Sequence, residues 1–193
     1  TTKERNGTIT DLRADTHPSV IYVNYNSIIP ETSEYVRPRV KIEISSLSMD
    51  EPVETRTLRS FISEAVPDAE DMEIKFKTVM PTRTFLEKIF LLHEEFQKKN
   101  PRSYRMSRHL YDIERIMDTS FGNEALKDLK LYDEIIAHRN IFNHIDGVDY
   151  SSHKHDRINF IPPAELIDDW RNDYNSLEKH FLYSSATHLS FDQ

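Results

Sequence analysis

The stretch PTRTFLEKIFLLHEEFQKK, Pro81 to Lys99, divides the chain into two kinds of sequence. Thr84 reads as an N-cap, Glu87 three residues on completes a capping box, and Asn100 with Pro101 stops the pattern. Before this stretch the apolar residues alternate at period two; after it helical segments dominate. Strands first and helices after predict an α+β fold, with a small N-terminal β-sheet packed against a C-terminal helical lobe. On pattern alone residues 1–80 are expected to form the β-rich part and residues 81–193 the helical lobe of one continuous domain.

Working back from Pro81, MEIKFKTVM (Met72 to Met80) alternates as a strand, and TRTLRSFISEA (Thr55 to Ala65) reads as a short helix. In YVRPRVKIEIS (Tyr35 to Ser45), Val40, Ile42 and Ile44 alternate with Arg39, Lys41 and Glu43, so one face is expected to pack inward while the other carries charge. VIYVNY (Val20 to Tyr25) is the first clearly apolar strand, after a polar run of eighteen residues. Working forward, RMSRHLYDIERIM (Arg105 to Met117) is an amphipathic helix, and a second helix is expected from Asn123 to Phe142. NHIDGVDYSSHKHD is a loop by composition, RINFI (Arg157 to Ile161) a short strand, and PPAELIDDWRNDYNSLEKHFLY (Pro162 to Tyr183) a long helix opened by prolines.

The 193 residues carry a formal net charge of -8 and no cysteine. Wholesale attraction to DNA or to an anionic membrane is therefore not the default, and any phosphate-seeking surface has to be local. Without cysteine there is no disulfide framework, thiolate zinc site or cysteine nucleophile, which fits a reducing cytoplasm. No apolar run approaches the ~20 residues of a membrane helix. Glycine occurs only at Gly7, Gly122 and Gly147, too sparsely for the phosphate-cradling loops of P-loop or Rossmann proteins.

Against that acidic background, Lys88, Lys98, Lys99, Arg102, Arg105 and Arg108 form the densest basic region, a composition suited to a polyphosphate ligand. Lys88 has Thr84 and Phe85 one helical turn before it and Leu91 and Leu92 one turn after, so its stem meets mostly apolar neighbours and its ammonium must reach water or meet an anion. In RMSRHLYDIERIM, Met106, Leu110, Ile113 and Met117 make a core-facing stripe. Arg105, Arg108, Asp112 and Arg115 run beside it, and His109 reads as a packed core histidine. By pattern alone Arg108 and Asp112 form an exposed i,i+4 ion pair. Glu43 projects from the polar face of its strand, where a carboxylate is suited to holding a divalent metal beside a phosphate. The histidines His138, His144, His153 and His155, with Asp156, lack the H-E-x-x-H spacing of a zinc hydrolase.

Three of these stretches, RPRVKIEIS (Arg37 to Ser45), PTRTFLEKIFLL (Pro81 to Leu92) and SRHLYDIERI (Ser107 to Ile116), resemble in order the later motifs of the AbiEii/AbiGii-type toxin nucleotidyltransferases. AHRNIFNHIDGVDY, NFIPP, DDWRNDY and the final Phe191-Asp192 follow the same pattern, so the resemblance runs from about Val20 to Asp192. It implies that the β-rich residues 1–80 are the remnant of a nucleotidyltransferase core, and that the protein is a magnesium-dependent toxin of a bacterial abortive-infection or toxin–antitoxin system. Such an enzyme moves a nucleotide from an NTP to an acceptor, an RNA such as tRNA or a protein, and meets an antitoxin. By resemblance Glu43 is the third metal carboxylate, Lys88 neutralises triphosphate charge, Asp112 orients the lysine or the attacking group, and Arg108 is a phosphate or structural partner; Arg105, from the same basic region, is a further substrate-binding candidate. The G-[GS] turn and Asp-x-Asp strand of such enzymes do not occur. NGTITDLRAD offers neither, and Asp68-Ala69-Glu70 and Asp112-Ile113-Glu114 do not follow such a turn. The expectation is a later portion of a longer protein; the alternative is a non-catalytic interaction module that keeps the fold.

Overall fold

Pro81 begins the longest helix, and in the computed structural model it stands at the first helical position, where its missing N–H costs nothing. The structure describes residues 9–13, 19–27, 37–45, 47, 49, 52–66, 73–182 and 188–193. Gly7, Asp68-Ala69-Glu70 and the predicted element ends Tyr35, Met72 and Tyr183 lie outside them. The described elements are mixed α+β, as the order of patterns predicts. Strands β1 (Ile9–Arg13), β2 (Ser19–Asn24) and β3 (Arg39–Ile44) form one antiparallel sheet in that order, and β4 (Val53–Leu58) pairs with β5 (Ile74–Val79) in another. The helices are α1 (Phe61–Ala65), α2 (Pro81–Phe96), α3 (Ser107–Met117), α4 (Ser120–Lys127), α5 (Leu129–Phe142) and α6 (Ile167–Phe181).

The chain divides into two compact units. One comprises Thr1–Ser48, Arg102–Arg108 and Pro162–Gln193, the other Met49–Pro101 and His109–Ile161. In the first, β2 and β3 pair in continuous register from Ser19↔Ile44 to Asn24↔Arg39. The alternation places Val40, Ile42 and Ile44 on one face, but that face is exposed rather than packed inward, because none of the described residues covers it. The polar opening also contains a strand that period-two reading passes over. β1 pairs with β2 through a register shift between Ile9 and Leu12, and such an irregularity breaks the alternation.

The same unit holds a polar clamp. Asp173 of α6 accepts hydrogen bonds from the backbone N–H of Arg105 (2.6 Å) and of Ser107 (3.0 Å) and from the Ser107 hydroxyl (2.5 Å). Arg105 has φ of 59°, a left-handed conformation that non-glycine residues adopt at some cost, and the clamp holds it there. Trp170, Tyr174 and Leu177 of α6 are buried, and the Tyr174 hydroxyl donates to the Leu189 carbonyl at 2.6 Å.

In the second unit α2 packs against α4 and α5, burying Phe85, Leu86, Ile89, Phe90 and Leu92 with Ile113, Ala125, Leu131, Tyr132 and Ile135. Several boundaries differ from the sequence reading, each for a local reason. Thr55 and Thr57 lie in β4 opposite Lys77 and Lys75, so cross-strand pairing claims that segment and leaves only Phe61–Ala65 helical. Met80, not Thr84, precedes the first turn of α2; the Thr84 hydroxyl lies against the Met80 carbonyl, and Glu87 pairs with Arg83 at 2.8 Å instead of closing a capping box. The expected helix from Asn123 to Phe142 begins earlier and is two, because the Asp128 side chain caps the second by accepting the Leu131 N–H at 2.9 Å. Gly122 is required in α4, where a Cβ would stand 2.5 Å from the Met117 carbonyl oxygen and 2.6 Å from that of Ile116. Arg157 to Ile161 is not a strand, since the Asn159 N–H is spent on His93 Nδ1 at 3.0 Å. The proline-led helix starts as a 3-10 turn (Ala164–Leu166) before α6.

The core of this unit encloses a carboxylate. Glu94 is 1% exposed, and its oxygens accept from Arg139 Nε at 2.7 Å, Arg139 Nη2 at 2.5 Å and His153 Nε2 at 3.3 Å. Burial pushes the Glu94 carboxyl up, but hydrogen bonds and charge from Arg139, aided by His153, prevail and hold it below the ordinary glutamate value. Beside it His93 is held below the ordinary imidazole value, first by burial and then by His153; its Nε2 lies 2.8 Å from the Ser152 hydroxyl.

Both shifts act in one direction on stability. A depressed glutamate stabilises above its unfolded pKa, and that contribution is lost as pH falls through the folded value. A depressed histidine likewise favours unfolding as pH falls below about 6.5, where the unfolded ring gains its proton first. Urea unfolding followed by circular dichroism should therefore show stability declining from below about pH 6.5 and further through the carboxylate range. Glu94→Ala should lose about 3–5 kcal/mol at neutral pH, because it strands the Arg139 guanidinium. Wild-type stability at neutral pH would exclude that role for Glu94.

Candidate active site

Lys88 is on α2, and its ammonium meets two groups from α3. Nζ lies 2.6 Å from Asp112 Oδ2 and 3.3 Å from His109 Nδ1. His109 and Asp112 are one helical turn apart, hence neighbours on one face of α3. The Lys88 side chain is 20% exposed and that of Asp112 39%, so the pair borders solvent. A lysine ammonium has three N–H donors, and among the described residues two of them have protein acceptors. The ammonium is held from two sides, with one donor unclaimed among the described residues.

His109 therefore touches the lysine rather than being only a packed core residue, and its ring is half-buried. The sequence carried one usable signal, the spacing of three between His109 and Asp112. The wider α3 pattern holds in part: Met106 and Ile113 are buried and Leu110 is half-buried, but Met117 is exposed at the helix end. Arg108 and Arg115 are exposed and Arg105 is half-buried. Asp112 has its close ion pair with Lys88 of α2, so the exposed Arg108–Asp112 pair is not the arrangement found. Part of the local basic density is neutralised, since Lys98 pairs with Glu95 at 2.7 Å.

Glu43 lies on β3 of the first unit, opposite Val20, and pairs with Lys41 at 2.5 Å. Its side chain is half exposed. A magnesium ion requires several oxygen ligands in near-octahedral order. Among the described residues no three histidine, aspartate or glutamate side chains are grouped to hold a metal, and Mg²⁺ commonly takes only one or two protein carboxylates, with water and phosphate oxygens completing its shell. The histidines of the loop after α5 have other employment. His153 is buried on Glu94 and stacks with Tyr150 at 5.0 Å, His155 stacks on Tyr132 at 4.0 Å, and His144 Nδ1 lies 3.1 Å from the Asn140 carbonyl.

A family model described as nucleotidyl transferase AbiEii toxin, type IV TA system, matches residues 2–193. The chain belongs to the AbiEii nucleotidyl transferase toxin family. The match takes in both units and every candidate residue, from Glu43 to Asp112. Comparison with curated proteins and with solved structures returned no match. No helix among the described residues is long and apolar enough to cross a membrane.

Because the Lys88–Asp112 pair borders solvent, it should add little to folding stability. A double-mutant cycle with Lys88→Ala, Asp112→Ala and the double variant, read by chemical denaturation, should give a coupling below about 1 kcal/mol. A coupling of several kcal/mol would make the pair a structural element.

Proposed function

We propose that this AbiEii-family toxin transfers a nucleotide from an NTP to an acceptor hydroxyl, with Lys88 as the cation that neutralises the triphosphate. In that reaction the acceptor oxygen bonds to the α-phosphorus, the bond from that phosphorus to the bridging oxygen breaks, pyrophosphate leaves, and the acceptor proton passes to solvent. Phosphoryl chemistry of this kind depends mainly on positioned positive charge. The observation that carries the reading is the Lys88 ammonium, anchored at 2.6 Å by Asp112 with a donor unclaimed among the described residues. Asp112 orients the lysine.

The remaining assignments rest on the family. Glu43 is the candidate magnesium ligand and Arg108 the candidate phosphate-binding cation; Arg105 is a further candidate from the basic region of the sequence, and each is tested by its own substitution. The acceptor is an RNA, tRNA among the candidates, or a protein, and the partner is an antitoxin.

The test is to incubate the full protein with each α-labelled NTP, Mg²⁺ and total cellular RNA, with parallel EDTA arms and Lys88→Ala. Labelled RNA with the wild type, and loss of at least about 100-fold in Lys88→Ala, is the expected result for removing a transition-state charge contact. Equal labelling by both proteins would remove Lys88 from the mechanism. No labelling of RNA or protein from any NTP would favour a non-catalytic interaction module.

A further inference from the structure

A lysine is a point charge on a flexible stem, and a single ion pair sets its distance from a partner without setting the direction of its other donors. Lys88 has a second contact, 3.3 Å from His109 Nδ1, one turn of α3 before Asp112. An ammonium only donates, so for a hydrogen bond here the ring must present a lone pair at Nδ1 and carry its proton on Nε2. Two acceptors on successive turns of one helix then hold two N–H directions of the ammonium, and the tetrahedral nitrogen fixes the third.

We propose that His109 is a positioning residue for Lys88: as the neutral Nε2–H tautomer it accepts a Lys88 hydrogen bond at Nδ1 and, with Asp112, aims the remaining donor at the nucleotide phosphate. The aiming role rests on the reading of Lys88 as the triphosphate-binding cation; the hydrogen bond and tautomer do not. His109→Leu removes the acceptor while leaving the Asp112 ion pair. His109→Asn keeps an acceptor oxygen close to the place of Nδ1.

Two measurements decide it. Ring ¹⁵N shifts of His109 in the full protein at pH 7.5 should report the Nε2–H tautomer in the wild type and a loss of that preference in Lys88→Met. An Nδ1–H or doubly protonated ring in the wild type, or no change in Lys88→Met, would overturn the hydrogen bond whatever the activity.

In pyrophosphate-release assays with varied NTP and fixed total RNA, His109→Leu should lower kcat/KM about tenfold, the effect of losing a hydrogen bond to a charged group. His109→Asn should recover most of it, and His109→Leu should have no further effect in a Lys88→Ala background. A wild-type rate for His109→Leu beside a defective Lys88→Ala would overturn the positioning role alone. A fully active Lys88→Ala would overturn the reading of Lys88 and the aiming role with it, leaving the tautomer result to judge the contact. Circular dichroism of each variant checks that it is folded, and failure of His109→Asn to recover the rate in a folded protein counts against the proposal.

Discussion

A carboxylate taken out of water must be given hydrogen bonds and counter-charge where it is buried, and Glu94 imposes that requirement on the second unit. Its three donors come from two places far apart in sequence, Arg139 on α5 and His153 in the loop after it. Satisfying Glu94 therefore brings α2, α5 and that loop together, and Phe90 packs edge-on to Tyr132 in the same region. The apolar contacts supply most of the driving force, but they tolerate sliding; a bidentate guanidinium does not. Breaking such a network leaves a buried charge, which makes it a specifier of arrangement as much as a source of stability.

Lys88 lies six residues before Glu94 on α2, so the two project from different faces of the helix. One face is committed to the core, and the other presents a cation at the solvent border. The two ion pairs differ accordingly. Glu94–Arg139 is shielded and structural, whereas Lys88–Asp112 borders solvent and contributes little to the fold. Asp173 provides a comparable polar anchor in the first unit, holding the left-handed Arg105 and the buried Ser107 by a single carboxylate.

Strong local periodicity was legible. β2, β3, β5, α2 and α3 occur where alternation or helical spacing placed them, and the resemblance carried in those motifs agrees with a family match over residues 2–193. Features set by partners distant in sequence were not legible. β1 hides its alternation in a register shift, Thr55 and Thr57 become strand through their neighbours in β5, and a backbone expected in a ladder bonds instead to His93. For the candidate site, the charged residues Lys88 and Asp112 stood out by composition. His109 did not, because helical spacing on α3 says nothing about which side chain of α2 faces it.

The sequence by itself determined the α+β order, the placement of Lys88 on the helix that opens at Pro81, and membership of the AbiEii family, since these follow from local pattern and residue type. Only the tertiary structure decided that Lys88 meets Asp112 and His109, that Glu94 is the buried charge around which helices gather, and that the β3 apolar face stays exposed among the described residues. The physical reason is that charge pairing and burial depend on distances between segments far apart in the chain, and local periodicity carries no information about those distances.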